Sequence, residues 1–186
     1  MPSSIRIDPK VFLSLAVAVL LVPIKLQVAW LAAALFHELC HLIMLRILKL
    51  RICEVHVGCS GASISTEPLL PYQEMLCAIA GPIGSFSLLL FRRMMPLVAI
   101  CGCVQGAYNL LPLYPMDGGR VAGIVLLRLL PGKWSFYIGQ ILRCAVYIVL
   151  VCCAIYLLSL STSPVPLLLV GAVIWKDRKN SLQNRS

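Results

Sequence analysis

The chain has 186 residues, of which 60% are hydrophobic and only 12% are charged. Since roughly a quarter of the residues in a soluble domain are charged, this composition excludes an ordinary soluble fold and indicates an integral membrane protein. The net charge of +9 comes without a basic stripe interleaved with aromatic residues, so no nucleic acid is expected as a partner. The nine cysteines form no Cys-x-x-Cys pair and mostly lie in apolar runs, which predicts packing residues rather than a disulfide framework.

The N-terminal part of the chain predicts a first membrane span. Residues 1–10 are a short polar tail, and Val11 to Ile24 form an apolar segment that is brief for a bilayer requiring about 20 residues but can extend into its flanks. A signal peptide cleaved near Ala32 to Ala34 is the alternative, because Arg6 and Lys10 precede the apolar run. Cleavage there would break the helix that follows, so we interpret the segment as an uncleaved span.

The second apolar segment, Val28 to Leu48, contains the motif His-Glu-Leu-Cys-His at positions 37 to 41. On a helix with 100° per residue, His37 and His41 lie about 40° apart and one turn along the axis, so both imidazoles can reach one metal ion. Zinc held by two imidazoles takes a third protein ligand and keeps a position for water, which the adjacent Glu38 can deprotonate for attack on a carbonyl. The motif predicts hydrolytic chemistry at membrane depth, where polar groups are expensive and usually functional.

A pair of hydrogen-bonded core histidines is the alternative to a metal site. A buried carboxylate between two histidines would then still need partners from another helix. A third metal ligand elsewhere in the chain therefore decides between the two interpretations.

Residues 52–67 change to an alternating periodicity and predict a β-hairpin with its turn between Gly58 and Gly61. The segment is too polar to face lipid, so it should lie at the surface or line a cavity. We interpret His56 as an exposed strand residue, with a role as metal ligand as the alternative.

Two further apolar segments follow, Tyr72 to Phe91 and Met94 to Leu111. The first contains Ala-Gly-Pro-Ile-Gly-Ser at positions 80–85, whose small residues predict close packing against a neighbouring helix. The second runs into a stretch from Asn109 to Arg120 that prolines and glycines interrupt, and irregular backbone at membrane depth must line a cavity. This stretch carries Asp117, the best candidate for the third metal ligand.

The rest of the chain predicts a short amphipathic or re-entrant helix at Val121 to Leu130, a fifth span at Trp134 to Leu160 and a sixth at Val165 to Trp175. With six spans and a cytoplasmic N-terminus, 12 of the 16 Lys and Arg residues lie inside, three lie outside and Arg143 lies within a span. We therefore predict an all-α polytopic membrane protein with one domain, residues 1–186. It has about six transmembrane helices, a small β-hairpin between the second and third, and both termini in the cytoplasm.

Three stretches, FHELCH, AGPIGS and NLLPLYPMDGGR, together resemble the site-2 proteases, a family of intramembrane zinc metalloproteases. The resemblance covers residues 28–130 and implies that His37, His41 and Asp117 bind one zinc ion per chain and that Glu38 is the general base. It further implies a metalloendopeptidase that cleaves a transmembrane or membrane-associated protein in regulated intramembrane proteolysis.

The short hairpin after the motif helix, with no inserted PDZ domain, resembles the bacterial branch that includes a sporulation protease acting on a pro-sigma factor. Members of that branch often carry a C-terminal regulatory domain, and we expect none here. This implies a location in a bacterial cell membrane. The implied partners are the protein substrate, the lipid bilayer and a regulatory membrane protein that the sequence does not identify.

Three positions depart from the family pattern. Cys40 stands where glycine is usual, Ser85 where asparagine is usual, and Met116 where leucine is common. We interpret Cys40 as a packing change, with a thiolate close to the metal as the alternative. Ser85 retains a hydrogen-bonding group but has a shorter reach.

Asn109 is the candidate donor to the oxyanion of the reaction, and a helix-capping or loop-bracing role for it stays open. Because a substrate helix hides its carbonyl groups in its own hydrogen bonds, part of it must unwind, and the hairpin could hold that part by strand addition. A proteolytically inactive homologue that only binds membrane segments is the alternative function, while an ion carrier would predict inverted repeats, which the sequence lacks. The residues predicted to bind the substrate strand are Val55, His56, Val57, Ala62, Ser63 and Ile64.

Overall fold

The computed structural model describes residues 4–7, 22–58, 61–160, 170–171 and 174. Its chain divides into two compact units, Met1–Asn109 and Leu110–Ser186. In the first unit the elements are β1 (Ser4–Ile7), α1 (Ile24–Ile47), β2 (Ile52–Gly58), β3 (Gly61–Thr66), α2 (Pro71–Ser87), a 3-10 helix (Leu88–Phe91) and α3 (Pro96–Asn109). In the second unit they are α4 (Asp117–Leu129) and α5 (Gly132–Leu160).

Three of the described helices are long and apolar enough to cross a membrane: Ile24–Ile47, Pro71–Phe91 and Gly132–Tyr156. They correspond to the second, third and fifth predicted segments. The fourth segment forms α3, whose 14 residues extend over about 21 Å at 1.5 Å per residue, less than a typical bilayer core. Most of the first and sixth predicted segments lies outside the described residues, so the count of six spans stays a prediction.

Helix α1 divides into an inward stripe and an outward apolar surface. The side chains of Val28, Leu31 and Leu35 are exposed, as expected for a surface that lipid covers in the membrane. The inward side chains are spaced by four or eight residues, which places them on one side of the helix. They are Ala29, Ala33, His37 and Leu45.

Small residues bring α2 and α3 close to their neighbours. A Cβ added at Gly84 of α2 would lie 2.9 Å from the Cβ of Cys40 on α1, and one added at Gly102 of α3 would lie 2.9 Å from the carbonyl oxygen of Ser85 on α2. These contacts confirm the close packing predicted from the small residues of α2. The apolar core of this unit consists of Ala29, Ala33, Leu88 and Cys101, with Phe36 and Val98 packed against it.

The first unit also contains a three-stranded sheet with the order β1-β2-β3. Strand β1 precedes α1 in the sequence, and β2 and β3 follow it. Strand β2 pairs in parallel with β1 and antiparallel with β3. The turn between β2 and β3 includes residues 59–60, which lie outside the described residues. The expectation of a polar tail is wrong for Ser4–Ile7, because β2, about 50 residues later in the chain, supplies the pairing that makes this segment a strand.

The second unit begins with a loop that leads into α4. The predicted interruption from Asn109 to Arg120 is shorter in the structure, since α4 already begins at Asp117. Gly118 and Gly119 therefore lie in the first helical turn rather than in a loop. Helix α4 covers most of the predicted amphipathic segment and ends before α5 begins at Gly132.

Candidate metal centre

His37 and His41 lie one turn apart on α1 and direct their rings towards each other. Their Nε2 atoms are 3.1 Å apart, and the two rings meet edge to face with centroids 4.7 Å apart. The His37 side chain is only 3% exposed. The predicted pair of imidazoles is therefore present within one helix, with His37 buried and His41 half-buried.

Both histidines are held from α2 through their other ring nitrogen. The Nδ1 of His41 lies 2.7 Å from the carbonyl oxygen of Cys77, and because a carbonyl only accepts, His41 donates its Nδ1 proton there. The Nδ1 of His37 lies 2.8 Å from the Oγ of the fully buried Ser85. Such contacts are typical of metal-binding histidines, since they fix the ring orientation and direct the Nε2 atom towards the metal.

The distance between the two Nε2 atoms fits a shared zinc ion. Two Zn–N bonds of about 2.05 Å at a tetrahedral angle place the two nitrogens about 3.3 Å apart, close to the 3.1 Å observed. The carbonyl of Cys77 fixes the proton of His41 on Nδ1, so the Nε2 lone pair of His41 is directed at the Nε2 of His37. When His37 carries its proton on Nδ1, towards the Ser85 hydroxyl, a metal ion between the two nitrogens would accept both lone pairs, so the residues present fit the metal.

Gly81 keeps the space at these nitrogens open. A Cβ built on Gly81 would lie 2.6 Å from the Nε2 of His37 and closer still to the ring of His41. Any side chain at this position of α2 would therefore overlap the metal-binding atoms. Glycine is required here for the close approach of the two helices rather than for its backbone freedom.

Glu38 and Cys40 occupy the two remaining positions of interest in the motif. Glu38 is half-buried and directly follows His37 on α1. The Sγ of Cys40 points at Gly84 of α2, where an added Cβ would overlap it. This contact supports the interpretation of Cys40 as a packing residue.

Asp117 belongs to the second unit, where it is the first residue of α4 and 9% exposed. A carboxylate at this point also interacts favourably with the positive end of the helix dipole. Gly118 and Gly119, which follow Asp117, have no side chain, so the loop that precedes α4 can pack directly against its first turn. A Cβ at Gly118 would overlap the carbonyl group of Leu110, and one at Gly119 would lie 2.6 Å from the carbonyl carbon of Leu113.

The candidate metal ligands are the imidazoles of His37 and His41 in the first unit and the carboxylate of Asp117 in the second. The set contains two imidazoles and one carboxylate, a donor combination typical of catalytic zinc. The sequence had selected the same three residues. It did not identify Ser85 as the partner of His37, Gly81 as the residue that leaves the site open, or the backbone of Cys77 as the partner of His41.

The residues predicted to handle the substrate lie elsewhere in the first unit. Asn109 is the last residue of α3 and is half-buried. The predicted strand residues are register partners of one another, with Val55 opposite Ile64, His56 opposite Ser63 and Val57 opposite Ala62. Their side chains lie outside the described part of the structure. The interpretation of His56 as an exposed strand residue, with a metal ligand as the alternative, therefore stays a prediction.

Comparisons with known proteins place the fold. A scan against protein-family models found no match, and a search of curated proteins found none either. Among solved structures, a site-2 protease from Methanocaldococcus jannaschii is similar with a TM-score of 0.64 and 20% sequence identity, over 93% of this chain and 89% of that chain. The chain therefore has the fold of a site-2 protease, as the resemblance in the sequence had implied.

Proposed function

We propose that this chain is an intramembrane zinc metalloendopeptidase of the site-2 protease family, which cleaves a transmembrane or membrane-associated protein. The histidine pair carries the proposal. His37 and His41 lie inside a helix that can span a membrane, their Nδ1 atoms are engaged by α2, and their Nε2 atoms face each other at a distance that suits zinc. The fold shared with a known site-2 protease supports this interpretation.

Asp117 is proposed as the third ligand of one zinc ion per chain, beside His37 and His41. Bound zinc would supply a Lewis acid that polarises the scissile carbonyl and makes water more acidic. Glu38 accepts a proton from the attacking water and passes it to the nitrogen of the leaving amine. Ser85 holds the His37 ring in place through the Nδ1 contact, and Asn109 is the proposed donor to the oxyanion.

The sheet supports a refined proposal for how the unwound substrate is held. Strand β2 already has a neighbour on each side, so its backbone groups have partners in the described sheet. Among the described residues, strand β3 pairs with β2 alone. Of the two predicted strands, β3 is therefore the one whose other edge can accept an added strand. We therefore assign substrate pairing to Ala62, Ser63 and Ile64 on β3. In this proposal Val55, His56 and Val57 of β2 pair with the opposite edge of β3 and hold it in place.

Zinc analysis and a cleavage assay test the proposal together. The full chain, purified in detergent, should contain about one zinc ion, and zinc should be largely lost in His37→Ala and reduced in Asp117→Ala. A panel of single-span membrane proteins should include at least one that the zinc-loaded chain cleaves and that a zinc chelator protects. Undiminished zinc in the double variant His37→Ala, His41→Ala would contradict the site.

The proposed topology places both termini and the β2–β3 turn on the cytoplasmic side of a cell membrane, because most basic residues then lie inside. A single cysteine at position 60 in a cysteine-free background reports on it. An impermeant thiol reagent should label this cysteine in inverted vesicles and not in intact cells. Labelling in intact cells would reverse the topology.

A further inference from the structure

Helix α3 presents two different stripes to the rest of the first unit. Gly102 and Gly106 face α2, because a Cβ at Gly106 would lie 3.0 Å from the Cβ of Ser85. Cys101 is part of the apolar core that also contains Ala29 and Ala33 of α1. Residues at Cys101 and four positions later therefore face α1.

The contacts also fix the direction of the helices. Along α2, Cys77 meets His41 and Ser85 meets His37, so α2 runs antiparallel to α1. The neighbours of Gly102 include Leu88, the first residue of the 3-10 helix after α2, whereas those of Gly106 are Ser85 and Phe86 of α2. Helix α3 therefore runs antiparallel to α2 and parallel to α1. The turn of α3 that contains Gly106 consequently lies at the level of Ser85 and of the His37 ring that Ser85 holds.

Gln105 lies in that turn, one helical turn after Cys101 on the stripe that faces α1. Its Oε1 atom is buried and has no hydrogen-bond partner among the described residues. Buried polar side-chain atoms usually have a partner, and each exception requires an explanation. The residue as a whole is only partly buried, so the buried Oε1 belongs to a side chain that is partly accessible from outside the helix bundle.

We propose that Gln105 is a substrate-binding residue, whose Oε1 accepts a hydrogen bond from a main-chain N–H group of the substrate segment that is unwound for cleavage. The inference rests on the proposed proteolytic function. An unwound peptide at membrane depth exposes N–H groups that find no water, and each of them needs an acceptor. Gln105 offers an acceptor oxygen at the level of the histidine pair. When the substrate binds, one hydrogen bond therefore satisfies both this oxygen and a substrate N–H group.

Gln105→Met separates this role from a structural one, because methionine has nearly the same length and shape but no acceptor oxygen of this kind. Removing an unsatisfied polar group in favour of an apolar one is neutral or stabilising. The variant should therefore keep or raise the melting temperature and keep its zinc. Gln140→Leu, at a partly buried glutamine of α5, is the matched control and should change neither property.

The deciding measurement is the affinity for a fluorescently labelled single-span peptide, measured for the wild-type chain and Gln105→Met, each in a Glu38→Gln background that prevents turnover. Loss of one hydrogen bond should weaken binding about five- to tenfold, while Gln140→Leu should bind as the wild type does. Gln105→Leu repeats the comparison with a different side-chain shape.

Equal affinity of Gln105→Met and wild type would overturn the inference and would mean that only water satisfies this oxygen. A melting temperature lowered by several degrees in both the Met and Leu variants, or failure of both to fold, would also overturn it, since Gln105 would then stabilise the fold. Because binding is measured without turnover, these outcomes are separate from a failure of the wild-type chain to cleave any substrate, which would refute the proposed function instead.

Discussion

Replacement of Gly81 by alanine tests the geometry of the metal centre with a single methyl group. The added Cβ would lie 2.6 Å from the Nε2 of His37 and nearer to the His41 ring, whereas ordinary contacts begin at 3.4 Å. The difference, 3.4 minus 2.6, requires the ring of His37 to move by 0.8 Å relative to α2. Metal–ligand distances tolerate deviations of about 0.2 Å, so a displacement of this size is about four times too large.

We expect zinc affinity in Gly81→Ala to fall by more than the roughly 10–100-fold that follows loss of an outer-shell partner. The helix itself should not suffer, because alanine is about 1 kcal/mol more favourable than glycine inside a helix. The variant should therefore remain folded while it loses zinc. Zinc per chain is measured in detergent after dialysis against a zinc buffer series, with the melting temperature of the metal-free protein recorded in parallel.

Gly123→Ala in α4 is the matched control, because a Cβ there meets nothing within 4 Å. It should keep its zinc and its melting temperature or raise the latter slightly. Wild-type zinc affinity in Gly81→Ala would refute the placement of the metal between the two Nε2 atoms, since no ion could bind there beside the added methyl group.

Two further substitutions test the supports of the proposed ligands. Ser85→Ala should weaken zinc binding or activity about 10–100-fold by removing the Nδ1 contact of His37. Ser87 is the control, because its hydroxyl donates to the carbonyl of Gly84 on its own helix, and Ser87→Ala should leave zinc titrations unchanged. Equal effects of the two substitutions would assign Ser85 to packing alone. Gly118→Ala should destabilise the protein by roughly 1–3 kcal/mol, because the added Cβ overlaps backbone atoms of the preceding loop that cannot rotate away. An unchanged melting temperature in thermal unfolding would contradict the close contact of that loop with α4.

The histidine motif and its helix were predictable because both depend on local spacing. His37 and His41 are four residues apart, and the apolar run around them is long enough to define the helix without knowledge of its neighbours. The small residues of α2 likewise predicted a close approach to another helix. The sequence did not specify which atoms would meet, and the contact of Ser85 with His37 joins residues 48 positions apart.

Two parts of the fold depended on contacts that local patterns do not reveal. Ser4–Ile7 is a strand because β2 offers it an edge, and nothing in a polar ten-residue tail indicates a partner so distant in the chain. Asp117 begins α4 although two glycines follow it. Glycine disfavours a helix by about 1 kcal/mol per residue, but here the glycines allow the loop to pack on the first turn, and this tertiary contact outweighs the local preference.

The central claim is that Glu38 acts as the catalytic base beside a zinc ion held by the histidine pair. Cleavage of one membrane-embedded substrate by the wild-type chain and by Glu38→Gln, compared at equal zinc occupancy, tests it most directly. An amide of the same shape cannot take up the proton, so the rate should fall by roughly 10²–10⁴-fold while zinc binding and the melting temperature persist. Retention of more than about a tenth of the wild-type rate would remove Glu38 from this role, and no zinc-dependent cleavage by either protein would favour a homologue that only binds membrane segments.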